Sequence, residues 1–191
     1  MIKMKQDISY KISIPDGVKV DIVGDLVKIT GSSGLVEKKL PCHRVTLEHS
    51  SDFVLIKSVK ATQREKKLAN TYRAHLIHMI VGAMEGHTYK LKVCSGHFPM
   101  SVSLKGDLFE VKNFLGENKP RHLKMKSGVD VNIQGDDITV SSPSKELAGQ
   151  VAADIEQLTR ITKRDRRIFQ DGIYIIEKSK SRPIQLVEVS E

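Results

Sequence analysis

The chain has 191 residues, 31 Lys plus Arg against 23 Asp plus Glu, a formal charge of +8 and a pI near 9.4. That length fits one large or two small domains. No run approaches the roughly 20 apolar residues of a membrane helix, and two cysteines, Cys42 and Cys94, make no disulfide framework. The polar start, Met1–Asp7, leads straight into a strand, so no secretion signal is expected and a reducing cytosol is the default compartment.

In chain order, Ile8, Tyr10, Ile12 and Ile14 alternate as on a half-buried strand. Pro15-Asp16-Gly17 reads as a turn, with Pro fixing φ and Gly permitting positive φ. Val18–Ile22 and Leu26–Ile29 form a hairpin across Gly24-Asp25, and Gly31–Gly34 is a second turn. Strands are expected at Leu35–Leu40, Val45–Glu48 and Phe53–Ser58. Thr62-Gln63-Arg64-Glu65 is a capping box, and Leu68, Tyr72, Leu76, Met79, Ile80 and Ala83 recur at helical spacing up to a stop at Gly86. Tyr89–Val93 returns as a strand, and Ser95–Pro99 reads as a linker with Phe98 buried.

The second half repeats the plan. Lys105-Gly106-Asp107 joins strands Met100–Leu104 and Leu108–Lys112, and further strands are expected at Arg121–Met125, Val129–Ile133 and Asp137–Ser141. Gly17–Thr30 is written again as Gly128–Ser141, with six identical positions and Val27/Ile138, Ile29/Val140 and Thr30/Ser141 as close swaps. Upstream, Ile12/Leu123 and Ile14/Met125 keep the register. A repeat of this kind means two copies of one small domain rather than a solenoid array. The first copy has an additional strand or two between its hairpin and its helix. Ser142-Pro143 reads as an N-cap with Pro at the first helical position, followed by the stripe Leu147, Val151, Ile155 and Leu158. A short strand is expected at Ile173–Ile176. The fold class is therefore α+β: two tandem duplicated domains, each a mostly antiparallel sheet covered by one helix. The expected boundaries are 1–97 and 98–178, with 179–191 a tail whose mobility is left open.

The charge is clustered. Arg160–Arg182 holds eight Lys/Arg and three acids, Lys57–Arg73 six and one, and Lys112–Lys126 five and one. Such clusters are either the footprint of a polyanion binder or ordinary solubilising charge. The densest is Arg160–Arg167, where Arg160, Lys163, Arg164, Arg166 and Arg167 suit phosphates. Phe169 and Tyr174 follow, either as core residues or as stacking platforms for unpaired bases. Lys178, Lys180 and Arg182 extend the cluster. Phe114–Arg121 is either a plain connection in the second sheet or a Gly- and Pro-containing loop that lets Lys119 and Arg121 approach a phosphate, with Lys112 at its edge.

No P-loop, dinucleotide fingerprint or nucleophile elbow is present, so neither catalysis nor a cofactor is expected. Asp136-Asp137 suggests a metal-dependent nuclease only until the first copy is compared: there the pair is Asp25-Leu26, so Asp25/Asp136 reads as a shared turn residue. Cys94 and His97 have a ligand spacing, but zinc needs two more donors, with Cys42-His43 the only nearby offer. His75 and His78 fall three apart on the helix with no third ligand.

The chain resembles the universal ribosomal protein family counted sixth in the bacterial large subunit and ninth in the eukaryotic one. The resemblance is carried by Ile14–Val18, His97-Phe98-Pro99, Val111–Gly116, Phe169–Tyr174 and the internal duplication. The segment Arg166–Tyr174 resembles the archaeal and eukaryotic branch, since the bacterial branch usually has a Lys- and Gly-rich stretch there; from about Ser179 no family pattern is matched. The resemblance implies a structural component of cytoplasmic ribosomes with large-subunit rRNA and neighbouring ribosomal proteins as partners. It further implies that the second domain docks near the sarcin-ricin region on the factor-binding side and that the first lies toward the outer surface. The alternative is a non-ribosomal RNA-binding regulator or assembly factor using the same surface.

Overall fold

A computed structural model of the chain describes residues 6–41, 44–50, 52–179 and the backbone of 186–188. It divides into two compact units, Met1–Gly86 with Ser181–Glu191, and His87–Lys180. The first runs β1 (Gln6–Ser13), β2 (Lys19–Val23), β3 (Leu26–Gly31), β4 (Gly34–Lys39), β5 (Thr46–His49), β6 (Phe53–Ala61) and α1 (Gln63–Glu85). The second runs β7 (His87–Cys94), β8 (Ser101–Lys105), β9 (Leu108–Lys112), β10 (Arg121–Lys124), β11 (Asp130–Gln134), β12 (Asp137–Ser142), α2 (Lys145–Leu158) and β13 (Gly172–Glu177). The last strand, β14 (Leu186–Glu188), returns to β1.

In the first unit α1 packs on sheets ordered β14-β1-β6-β5 and β2-β3-β4. In the second, α2 packs on β11-β12-β7-β13 and on β10 of the sheet β10-β9-β8. The repeated hairpins β2–β3 and β11–β12 carry the same pairing, Val20↔Ile29 and Val131↔Val140. Each unit closes its own core: Ile12, Ile29, Ile56, Leu76 and Ile80 in the first, and Leu91, Phe109, Phe114, Ile138, Ile155 and Ile173 in the second. The capping box of α1 is formed, with Thr62 Oγ1 accepting from the Arg64 N–H and Glu65 Oε2 accepting from the Thr62 N–H at 2.8 Å.

The two units reach one arrangement by different strand orders. β3 pairs with β4 as β12 pairs with β7, and β1 pairs with β6 as β10 pairs with β9. The registers agree: Asp25 O accepts from Leu40 N–H at 2.7 Å and Asp136 O from Val93 N–H at 2.8 Å, one residue beyond β4 and at the same place on β7. Likewise Ile14 N–H reaches Asp52 O at 2.9 Å and Met125 N–H reaches Asp107 O at 2.7 Å. So β4-β5-β6, which follow the repeated hairpin in the first unit, correspond to β7-β8-β9, which precede it in the second. The strands that look additional in the first copy therefore have counterparts in the second.

That order moves the boundary. Chain order puts Tyr89–Val93 with the first domain and the break at 97/98, but β7 lies between β12 and β13, with Leu91 fully buried in the second core. A strand next to a helix in sequence is free to pair with distant strands when its alternating side chains complete their core. The tail is also corrected in part, because Leu186–Glu188 pairs antiparallel with β1 and covers its open edge. The cap of α2 is Ser144, whose Oγ accepts from the Leu147 N–H, while Ser142 Oγ accepts from the Ser144 N–H and Pro143 stays outside the helix. Phe98 is 42% exposed rather than buried.

Candidate nucleic-acid interface

The Arg160–Arg167 segment leaves the end of α2 and returns as β13, and a buried hydroxyl and a half-buried carboxylate of α2's last turn hold the returning strand. Thr159, the C-cap of α2, accepts from the Ile173 N–H at 2.9 Å, and Glu156 Oε1 accepts from the Ile175 N–H at 3.2 Å. Between them the chain folds into a turn on Asp165. Its carboxylate accepts from the Arg167 N–H at 2.9 Å, and its carbonyl from the Ile168 and Phe169 N–H groups at 3.2 and 3.0 Å. Lys163 sits at φ +58°, in the left-handed region that non-glycine residues rarely adopt.

All five cations of the segment, Arg160, Lys163, Arg164, Arg166 and Arg167, are exposed, but they are not equivalent. Arg167 forms a bidentate ion pair with Asp165, closest approach 2.7 Å. The guanidinium holds the Asp165 carboxyl below its ordinary value, and the carboxylate raises Arg167. Arg164 lies over the Phe169 ring at 5.0 Å from its centroid. Lys163 and Arg166 have no side-chain partner among the described residues. Phe169 is half-buried against the second core and packs on His97, centroids 4.9 Å apart, which favours its reading as core. Tyr174 is 41% exposed.

Arg121 differs from the expectation of a phosphate ligand. It is half-buried, pairs with Glu117 at 2.6 and 2.8 Å, donates to Leu158 O at 2.7 Å and stacks over Phe114 at 4.3 Å. Its guanidinium thus closes the C-terminal end of α2, where the last carbonyls lack helical donors. The Arg121 hydrogen bond, opposed by burial, and the charges of Arg121 and Arg164 hold Glu117 below its ordinary value, so the 113–121 loop adjoins the basic segment. The loop makes a 3-10 turn at Phe114–Gly116 with Phe114 and Leu115 buried, and exposed Lys119 lies beyond it. Lys112 ends β9, in the same sheet as Arg121, and pairs with Glu110 at 3.6 Å, beside Lys105 at 3.1 Å. Lys178 is exposed at the end of β13; Lys180 and Arg182 lie outside the described residues.

Placing β7 in the second unit brings with it two cations that chain order leaves with the first domain. Lys90 and Lys92 alternate with buried Tyr89, Leu91 and Val93, and Lys92 is directly across from Tyr174 in the sheet. Lys90 pairs with Glu177 at 2.9 Å. The alternation is legible in the sequence; the strand's destination is not.

His97 has a structural partner in Asp171. Its ring meets Asp171 Oδ2 at 2.6 Å, and Asp171 Oδ1 accepts the N–H of His97 at 2.9 Å and that of Gly96. Asp171 is 3% exposed. Burial works to raise its carboxyl, but the hydrogen bonds from His97 and Gly96 and the charge of His97 outweigh it and leave the group lowered. Among the described residues no three His, Cys, Asp or Glu side chains form a metal-binding group; Cys42 and His43 lie outside them. His75 meets Lys38 at 3.2 Å.

Comparison with known proteins places this geometry in a lineage. The family described as ribosomal protein L6 matches residues 14–86 and 98–172, once over each copy of the repeat, with the whole of β7 between the two matches. A protein of Methanococcus vannielii named large ribosomal subunit protein uL6 is 39% identical over 172 residues, 90% of this chain and 94% of the relative. Proteins of the same name from Ignicoccus hospitalis and Methanosphaera stadtmanae are 41% and 38% identical, over 86% and 93% of this chain and 91% and 97% of their own lengths. These relatives are archaeal, as the Arg166–Tyr174 segment leads one to expect.

Proposed function

Because the chain belongs to the ribosomal protein L6 family, we propose that it is a structural constituent of the large ribosomal subunit and that its second unit binds large-subunit rRNA. The role is structural, not enzymatic. The observation that carries the RNA reading is the Arg160–Arg167 turn, which holds Lys163 and Arg166 exposed and without side-chain partners among the described residues. Lys92, Lys119 and Lys178 are further exposed cations of the same unit. A strained, hydrogen-bonded turn presents Lys163 and Arg166 at fixed backbone positions, so they neutralise phosphates with little ordering cost. RNA recognised through shape and backbone needs this kind of surface more than base-reading side chains. Docking near the sarcin-ricin region on the factor-binding side, in cytoplasmic ribosomes and among neighbouring ribosomal proteins, completes the proposal.

The test is binding of the whole chain to large-subunit rRNA across a salt series. Lys163, Arg164 and Arg166 changed together to Ala should lower the log–log salt slope by roughly 0.7 to 0.9 for each phosphate that is no longer neutralised. An unchanged slope removes the turn from the interface. Sedimentation of lysate separates the regulator reading: a subunit component stays with large subunits at high salt, whereas a regulator is released.

A further inference from the structure

The 94–97 turn and the 166–174 segment enclose a concavity of about 730 Å³. Cys94, Ser95, Arg166, Ile168, Gln170 and Tyr174 line it. A phosphate needs far less space; the volume falls in the range of clefts that take small organic ligands. Its chemistry is divided. Tyr174 and Ile168 are 41% and 63% exposed, so two large apolar groups meet water at one place. Arg166 adds an unpartnered guanidinium among the described residues, and Ser95 and Gln170 add small polar groups.

We infer that this concavity receives one unpaired base of the RNA, stacked on Tyr174, with the adjoining phosphate on Arg166. This rests on the rRNA-binding reading and names what the site takes. Base-paired RNA keeps its π-faces inside the stack, so only an unpaired nucleotide offers a flat apolar face together with a charge. The walls are preorganised. Tyr174 Oη donates to Gln170 O at 3.0 Å, and the ring lies 3.4 Å from where a Cβ on Gly172 would be. The opposite wall is tied down by Asp171, which holds the Gly96 and His97 N–H groups. Asp171 is the one carboxylate among the described lining residues, and it is buried and held by the Gly96 and His97 N–H groups rather than presented at the mouth. Lys92, across from Tyr174 in the sheet, adds a second cation at this edge.

The test uses intact large subunits containing the full chain. Ultraviolet crosslinking followed by mass spectrometry should attach a nucleotide to Tyr174. Chemical probing should show that nucleotide unpaired and protected. Tyr174→Leu, which keeps apolar volume but removes the aromatic face, should lose the protection, and Tyr174→Phe should restore it. Crosslinks at Lys163 or Arg164 with none at Tyr174, or protection indifferent to Tyr174→Leu, would overturn the pocket while leaving the RNA interface standing. A protein crosslink at Tyr174 would overturn it in favour of a peptide occupant. Absence of any RNA crosslink along the chain would overturn both readings.

Discussion

Glu65 shows how much one side chain does at an element's end. The Thr62 hydroxyl and N–H, its own N–H and the Arg44 guanidinium at 3.0 Å hold its carboxyl at about 2 against an ordinary 4.5. A lowered carboxyl stabilises the fold above its unfolded value and loses that contribution as pH falls through the folded value. Wild type should therefore lose an advantage over Glu65→Gln between about pH 4.5 and 2, the two melting midpoints converging there; parallel curves would rule out the carboxylate as the cause. The repeated hairpin turns make a second residue-level case. Gly24 and Gly135 sit at φ +60° and +61° with open space around a would-be Cβ, so backbone conformation alone requires glycine. Gly135→Val should cost about 1–3 kcal/mol in RNA-free protein. A variant that melts like wild type but fails to bind RNA would make Gly135 an RNA ligand instead.

At the scale of elements, the Arg160–Arg167 turn is a graded set of cations rather than a uniform patch. Arg166 is free of side-chain partners among the described residues, whereas Arg167 is paired with Asp165. Arg166→Ala should thus lower the salt slope of rRNA binding by roughly 0.7 to 0.9, and Arg167→Ala by clearly less. Equal changes would mean that the Asp165 pair opens on binding. Arg121 makes the complementary point. By composition it belongs to a basic cluster, yet its donors close α2, so a count of charges overstates the surface available to a phosphate.

For the whole molecule, the strand order decides which fragments are meaningful. A fragment 99–191 lacks β7, the strand between β12 and β13, and with it Leu91, Tyr89 and Val93 from the core. A fragment 87–180 keeps every strand of the second unit. The second should unfold in one cooperative step and keep most of the affinity for rRNA, and the first should not fold. Circular dichroism melting and filter binding decide this; a cooperative transition in 99–191 would show β7 to be dispensable. A fragment 1–86 should bind weakly, although Arg44, Lys57 and Lys60 line a basic concavity of about 410 Å³ there. Affinity comparable to that of the second unit would mean that the proposed division of labour is wrong.

Local chemistry made much of this legible in advance. Periodicity marked α1, capping marked its start, and the Gly24/Gly135 turns marked the duplicated hairpins, because each depends on neighbours in sequence. The density of cations in Arg160–Arg167 marked the candidate interface for the same reason. Tertiary structure alone decided three matters. It assigned β7 to the second unit, since an amphipathic strand is specified by the core it completes and not by the helix before it. It withdrew Arg121 and paired Arg167, since partners such as Glu117, Leu158 and Asp165 become neighbours only through folding or a specific turn. It also gathered Cys94, Arg166 and Tyr174 around one concavity, because residues distant in sequence meet only where β7 and β13 pair.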